Sequence, residues 1–134
     1  IDLVRHIAVN DSGEVINPLL LGGQVHGGVA QGIGQALMED VTYDSDGQIL
    51  AGSFMDYCMP RADDLPMIET ADFVEACQTN PLGVKGGGES GTVGSTAAVV
   101  NAIIDALAKY GVKDIDMPAT PMKVWQAMHG GKAA

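Results

Sequence analysis

Three segments of the chain alternate between apolar and polar residues, the pattern of half-buried β-strands. Residues 3–16 predict a hairpin, in which the strand LVRHIAV is followed by the turn cluster NDSG and the returning segment EVI. Residues 41–54 predict a second hairpin around the two-residue turn signal Asp46-Gly47. Residues 67–76 alternate well enough to predict one further strand, at the edge of a sheet.

A first long helix is predicted from Pro18 to about Glu39, because Asn17 is a good N-cap and proline suits the first helical position. Helix propensity opposes this prediction, since six glycines lie in the 13 residues from Gly22 to Gly34 and each costs about 1 kcal/mol relative to alanine. Spacings of four place these glycines in bare stripes, against which another backbone or a ligand can pack: Gly23 with Gly27, and Gly28 with Gly32. Three glutamines lie near one face of the same helix: Gln24, Gln31 and Gln35.

Residues 95–110 give the clearest helical pattern in the chain. This segment is apolar almost all round, so we expect the helix to be nearly enclosed by other parts of the protein. Its polar residues form one stripe with a spacing of four: Asn101, Asp105 and Lys109. Gly111 is expected to end the helix as its C′ residue.

A short last helix is predicted at residues 120–128, followed by a frayed tail at 129–134. Thr120 is its expected N-cap, Pro121 suits its first position, and Trp125 is expected to anchor it to the body of the domain. Hairpins and long helices occur in mixed order, without regular strand–helix–strand alternation. The pattern therefore predicts an α+β fold, in which hairpins and a mixed sheet pack with two long helices.

The length and composition of the chain indicate a single acidic domain. The chain has 134 residues, 46% of them apolar, which is enough for a core in one domain spanning residues 1–134. The net charge of -10 disfavours nucleic acid and anionic membranes as partners. We find no apolar run of about 18 residues, so we predict no membrane insertion and a cytoplasmic location. The absence of an initiator methionine, with strand-like alternation already under way, suggests a fragment or a processed piece.

The two cysteines do not indicate a metal site in this chain. Cys58 and Cys77 occur without a CxxC motif and without paired histidines. The sequence therefore predicts neither a zinc site nor an iron–sulfur cluster, but two free buried thiols.

The candidate chemistry lies in the glycine-rich segment VKGGGESGTVGS at residues 84–95. Glycine is selected where φ must be positive or where another group must approach the backbone closely, so this segment is expected to hold something. It contains a GxGxxG match, but the preceding NPLGVK lacks the buried strand that a dinucleotide-binding unit requires. Bare N–H groups at a helix start can still bind phosphate, and Lys85 could be a phosphate or carboxylate partner.

Glu89 is the candidate catalytic residue of this segment. A carboxylate would repel a bound phosphate, so Glu89 is expected to face a reacting centre, where partial burial could raise its pKa and fit it for base catalysis. The alternative is that Glu89 only caps neighbouring N–H groups. The remaining polar residues have simpler interpretations, with His26 as a packed, hydrogen-bonded histidine, Asp11 as a turn residue and Lys85 as a solvated side chain.

Three segments together resemble the C-terminal part of the molybdopterin-binding large subunit of the xanthine oxidase family: GGQVHGGVAQGIGQALMED (22–40), VTYDSDGQIL (41–50) and NPLGVKGGGESGTVGSTAAVVNAIIDAL (80–107). The resemblance runs from about Val4 to Met128. It is nearest to aerobic carbon monoxide dehydrogenases and to aldehyde or N-heterocycle dehydrogenases. It implies that the chain is part of a larger molybdopterin-binding domain.

The resemblance also implies roles for four residues. Glu89 matches the family glutamate that lies beside a molybdenum held by a pterin dithiolene and takes a proton from the Mo–OH group. Gln24 matches a glutamine close to the cofactor, and Gly87 and Gly88 would be cofactor-binding residues of the loop. Metal ligation would come from the pterin and from no residue of this chain.

The cofactors and partners follow from the same resemblance. The expected cofactor is molybdopterin with molybdenum, in the cytosine dinucleotide form, and [2Fe–2S] clusters and FAD are expected on partner chains. The expected partners are the remaining molybdopterin-binding region, an iron–sulfur subunit and a flavin subunit. The implied reaction is oxidation of an aldehyde, an N-heterocycle or carbon monoxide with water-derived oxygen. Two alternatives remain open, a noncatalytic assembly module and a binder of nucleotide phosphate.

Overall fold

The structure, a computed structural model, describes residues 1–130 and contains three helices and a two-stranded sheet. The order of elements is β1 (His6–Asn10), α1 (Pro18–Leu37), β2 (Ile68–Asp72), α2 (Ser90–Leu107) and α3 (Pro121–Met128). Single 3₁₀ turns lie at Ala62–Asp64 and Ala108–Tyr110. The α+β class predicted from the sequence is confirmed. Residues 131–134, where most of the frayed tail is predicted, lie outside the described residues.

The sheet pairs β1 with β2 in parallel, which corrects the predicted hairpin at residues 3–16 and the predicted mixed sheet. His6 lies opposite Ile68, and the Phe73 N–H extends the pairing by donating to the Asn10 carbonyl at 2.8 Å. The alternation identified β1 and β2 as strands, and this part of the prediction is confirmed. Alternation reports that one face is buried and carries no information about which strand is the partner.

The second predicted hairpin, at residues 41–54, is reduced to a turn with one isolated antiparallel bridge between Tyr43 and Ile49. The turn itself is as predicted, because Gly47 has φ of 80°. The Asp44 carboxylate stabilises the turn by accepting from the N–H groups of Asp46 and Gln48, both at 2.9 Å. The strands on either side do not form, since the flanking side chains are exposed and have no buried face to pair over.

The chain divides into two compact units. The first unit consists of Ile1–Gly32 and Ala62–Ser95, and the second of Ile33–Arg61 and the residues from Thr96 onward. Val25 and Val29 on α1 are the buried apolar residues of the first unit. The buried apolar residues of the second unit come from α1, α2 and the segment before α3: Ile33, Ala36, Val99, Ile103, Leu107, Ile115 and Ala119.

Helix α1 begins as predicted, with the Asn17 carboxamide oxygen accepting from the Leu20 N–H at 3.1 Å. Gly28 has the predicted packing role, whereas a Cβ added at Gly22, Gly23 or Gly27 would meet nothing within 4 Å among the described residues. A Cβ added at Gly28 would lie 2.9 Å from the backbone nitrogen of Thr92, and a Cβ added at Gly91 would collide with the Val25 carbonyl oxygen. Within the first unit the backbones of α1 and α2 therefore come into contact at Gly28 and Gly91, where neither helix has a side chain.

Helix α2 begins at Ser90, five positions before the predicted start at Ser95. Its buried residues recur at every fourth position, and the intervening apolar residues, such as Val93 at 74% exposure, are open within this chain. The expectation that the helix is nearly enclosed is therefore wrong for the described residues. By length and composition alone the helix Ser90–Tyr110 could cross a membrane, which contradicts the expected absence of an apolar run of about 18 residues. Core helices of soluble proteins meet the same criterion.

The end of α2 and the start of α3 follow the predictions. Gly111 has φ of 79°, the left-handed conformation that a C′ glycine adopts. The Thr120 hydroxyl accepts from the Lys123 N–H, which caps α3 as expected. Trp125 does not anchor α3 to the body of the domain, because it is 56% exposed and stacks on His129 with ring centroids 4.4 Å apart.

Candidate functional site

The glycine loop, residues 85–89, is attached to the turn that follows β1. The Ser12 carbonyl accepts from the Lys85 N–H at 2.9 Å, and Gly13 forms an isolated bridge with Val84. Gly13 has φ of 60°, and a Cβ there would lie 2.9 Å from the Lys85 nitrogen. Only glycine therefore fits at the point where the turn meets the start of the loop.

Gln24 on α1 contacts the other end of the glycine loop. Its carboxamide nitrogen donates to the Gly88 carbonyl at 2.6 Å, across 64 positions of sequence. Gly87 lies beside the same helix, because a Cβ there would be 2.7 Å from Leu21 Cδ1. The carbonyl of Gly87 accepts from the Ser90 hydroxyl at 3.0 Å. The structure thus brings together Gln24, Gly87 and Gly88, three of the four predicted site residues.

Glu89, the fourth predicted residue, immediately precedes α2 and is exposed. Its backbone carbonyl accepts from the N–H groups of Thr92 and Val93, both at 3.1 Å, and so makes the first bonds of the helix. Its carboxylate forms no hydrogen bond or ion pair with residues 1–130. Capping of neighbouring N–H groups by this side chain is therefore not observed, and the carboxylate is available to a group from outside the chain.

The backbone of the glycine loop can offer hydrogen-bond donors to a polar ligand. Within the described part of the chain, the N–H groups of Gly86, Gly88 and Glu89 have no acceptor. A Cβ added at Gly86 or Gly88 would meet nothing within 4 Å, and the same holds for Gly23 and Gly27 on α1. Open backbone beside the Gln24 amide suits a cofactor that is rich in acceptor atoms. These residues fit the predicted molybdopterin.

Lys85 is an ion-pair partner within the protein, because its Nζ lies 2.5 Å from Oδ2 of Asp11. Lys85 is thus paired with a carboxylate of the same unit, in place of the solvated, unpaired side chain expected. The Lys85 ammonium, together with the N–H of Gly13, lowers the pKa of the Asp11 carboxyl below its ordinary value. Sequence reasoning assigned Asp11 only to a turn and missed this contact. No local sequence pattern predicts the ion pair between Asp11 and Lys85, since the two residues are 74 positions apart.

The first unit contains two histidines, His6 and His26. His26 is hydrogen-bonded as predicted, with Nδ1 2.7 Å from the Gly22 carbonyl and Nε2 3.1 Å from the Ile68 carbonyl, although it is exposed. Both ring nitrogens of His6 are buried without a hydrogen-bond partner among residues 1–130. Burial lowers the pKa of His6, because the charged imidazolium loses hydration.

No metal-binding cluster is formed by the described residues, since no group of three His, Cys, Asp or Glu side chains converges. Both cysteines are free, but the prediction that they are buried is wrong, as Cys58 is exposed and Cys77 is half-buried. The second unit has a cavity of about 300 Å³ that includes none of the predicted site residues. Its lining comprises Met38, Asp40, Thr42, Leu50, Ala51, Asp56 and Cys58.

The dinucleotide-binding interpretation is not supported by the structure. The residues before the glycine loop form a turn with a single bridge at Val84, in place of the buried parallel strand that such a unit needs.

Comparison with known proteins connects this site to molybdenum enzymes. The model of the molybdopterin cofactor-binding domain family matches residues 1–66. The nicotine 6-hydroxylase large subunit of Paenarthrobacter nicotinovorans is 43% identical over 123 residues, which cover 92% of this chain and 15% of that subunit. The carbon monoxide dehydrogenase large chain of Hydrogenophaga pseudoflava is 38% identical over 124 residues, which cover 92% of this chain and 15% of the relative.

The fold also matches a solved structure closely. Quinoline 2-oxidoreductase from Pseudomonas putida 86 superposes with a TM-score of 0.91 at 39% identity, over 96% of this chain and 16% of that chain. The present chain thus spans about 15% of the length of the relatives that it matches.

Proposed function

Because this chain belongs to the molybdopterin-binding large subunits of the xanthine oxidase family, we propose that it supplies one wall of a molybdenum hydroxylase active site. In this proposal Glu89 is the general base, and Gln24, Gly87 and Gly88 contact the cofactor. The observation that carries the proposal is the unpartnered, exposed carboxylate of Glu89 on a loop that Gln24 holds through Gly88. The expected cofactor is molybdopterin with molybdenum, in the cytosine dinucleotide form.

The residues of this chain would perform two tasks. The Gln24 amide and the free N–H groups of the glycine loop bind acceptor atoms of the cofactor. Glu89 accepts a proton at its carboxylate, and no residue among 1–130 competes for that carboxylate. General bases of this kind contribute about 10²- to 10⁴-fold to a rate. When bound, the molybdenum cofactor supplies the two-electron redox centre for hydroxylation of the substrate.

The whole enzyme is proposed to oxidise an aldehyde, an N-heterocycle or carbon monoxide with oxygen derived from water. Nicotine 6-hydroxylase and quinoline 2-oxidoreductase are the relatives behind the N-heterocycle, and carbon monoxide dehydrogenase is the relative behind carbon monoxide. The aldehyde follows from the family resemblance of the sequence. The proposed partners are the remaining molybdopterin-binding region, an iron–sulfur subunit with [2Fe–2S] clusters and a flavin subunit with FAD. The proposed location is the cytoplasm.

The competing proposal is a noncatalytic module that keeps the fold and supports assembly only. The two are separated by replacing Glu89 with glutamine in the complete complex and measuring turnover and molybdenum content together. A catalytic base predicts lost turnover at unchanged molybdenum content. Undiminished turnover would rule out Glu89 as the general base. Glu75→Gln is the matched control, because Glu75 is also exposed and its carboxylate has no partner among residues 1–130.

A further inference from the structure

One carboxylate joins three separate segments of the first unit. Oδ1 of Asp11 accepts from the Gly13 N–H at 2.9 Å and from the Glu75 N–H at 3.3 Å. Its Oδ2 accepts from Nζ of Lys85 at 2.5 Å. Asp11 therefore connects its own turn, the segment after β2 and the first residue of the glycine loop.

The glycine loop depends on such attachments for its shape. Three of its five residues are glycines, whose backbone torsions are less restricted than those of any other residue. Its beginning is fixed at Lys85, by the backbone bond to Ser12 and the ion pair with Asp11. Its end is fixed at Gly88 by the Gln24 amide. Loosening either end allows the intervening peptides to change conformation.

We propose that Asp11 is a positioning residue that acts through Lys85 to hold the glycine loop in the conformation that presents Glu89. The proposal rests on the proposed role of Glu89 as general base. Asp11 exerts its effect at a distance, since its own contacts are with Lys85 and two backbone N–H groups.

A second ion pair in the same unit lacks this arrangement and provides the control. Arg5 and Glu69 form a pair whose side chains are 63% and 54% exposed, against 31% and 35% for Lys85 and Asp11. An exposed pair between β1 and β2 is screened by solvent and contributes little. The Lys85–Asp11 pair is less exposed, and backbone donors also hold its carboxylate.

The test uses the complete complex with the variants Asp11→Asn, Lys85→Met, the double variant and Glu69→Gln. Asparagine keeps an oxygen that can accept from the N–H groups of Gly13 and Glu75 but loses the ion pair with Lys85. The wild-type complex is first assayed with nicotine, quinoline, acetaldehyde and carbon monoxide. The substrate that it oxidises fastest is then used to measure turnover per bound molybdenum and KM for every variant. Hydrogen exchange of the peptide covering residues 84–95 reports the mobility of the loop independently of activity.

We expect kcat per bound molybdenum to fall by about 10- to 100-fold in each single variant with a much smaller change in KM, since misplacement of a catalytic group mainly affects the chemical step. The double variant should be no worse than the poorer single variant, because both remove the same interaction. Hydrogen exchange of residues 84–95 should rise in Asp11→Asn, in Lys85→Met and in the double variant. Glu69→Gln should resemble the wild type in both kcat per bound molybdenum and hydrogen exchange.

Unchanged exchange of residues 84–95 in Asp11→Asn and Lys85→Met would overturn the proposal whatever the activity. So would normal kcat per bound molybdenum with only reduced thermal stability, the result expected for a merely structural pair. If Asp11→Asn fails to assemble, Lys85→Met decides alone. Full turnover in Glu89→Gln would refute the proposed function itself, whereas an inactive Glu89→Gln beside a fully active Asp11→Asn would refute only the positioning role.

Discussion

The carboxamide nitrogen of Gln24 donates to the carbonyl oxygen of Gly88 at 2.6 Å, which joins α1 to the residue before the proposed base. Because Gly88 has no side chain, its main-chain oxygen is the acceptor through which Gln24 can hold it. The position of Glu89 is thereby coupled to a side chain on a different helix.

Replacing Gln24 with leucine should weaken this attachment and remove a proposed donor to the cofactor. We expect the complex to lose about 1 kcal/mol of stability, the usual contribution of one hydrogen bond, and to retain less molybdenum. Thermal denaturation and elemental analysis measure the two effects. Gln31→Leu is the control, because Gln31 is exposed on the same helix. Equal molybdenum content in the two variants would show that Gln24 does not contact the cofactor.

Shortening the proposed base should be less harmful than removing its charge. Glu89→Asp keeps a carboxylate but withdraws it by one methylene, so we expect intermediate turnover, whereas Glu89→Gln should lose about 10²- to 10⁴-fold. Steady-state kcat per bound molybdenum is the measurement. Identical rates for the two variants would mean that the carboxylate does not transfer a proton.

The close approach of α1 and α2 should make Gly91 intolerant of a methyl group. A Cβ at Gly91 collides with the Val25 carbonyl and lies 2.9 Å from the Val29 nitrogen, so Gly91→Ala is expected to lose about 1–3 kcal/mol of stability. Gly94→Ala is the matched control, because nothing lies within 4 Å of that position and alanine is the better helix former. The control should be neutral or more stable in thermal denaturation. Equal losses in both would contradict the backbone contact.

His6 should make stability depend on pH in the mildly acidic range. Its folded-state pKa is lowered by burial, so the unfolded chain binds a proton more readily than the folded one. Stability is therefore complete above the ordinary pKa of about 6.5 and decreases as pH falls from there through the lower folded pKa. His6→Phe should remove this component, as seen by urea denaturation at several pH values between 4 and 8. A parallel pH dependence in the two proteins would assign it to another group.

Local sequence patterns predicted the elements of this fold better than their arrangement. Asn17, Gly111 and Thr120 act at helix ends as predicted, because capping depends only on nearby residues. The pairing of β1 with β2 and the contact of Asp11 with Lys85 were missed, since both join residues more than 60 positions apart. The exposure of α2 was misjudged because an apolar pattern shows that a face is suited to burial, without showing which polypeptide covers it.

The parallel pairing of β1 with β2 also bears on how the protein is made. During translation β1 leaves the ribosome first, and its partner is complete only after roughly 60 further residues, on the order of 3–12 s later. Throughout that interval the nascent chain presents an unpaired strand with Ile7 and Val9 on it, a template on which other chains can aggregate. Heterologous expression should therefore benefit from lower temperature and from chaperones that bind the nascent β1 segment.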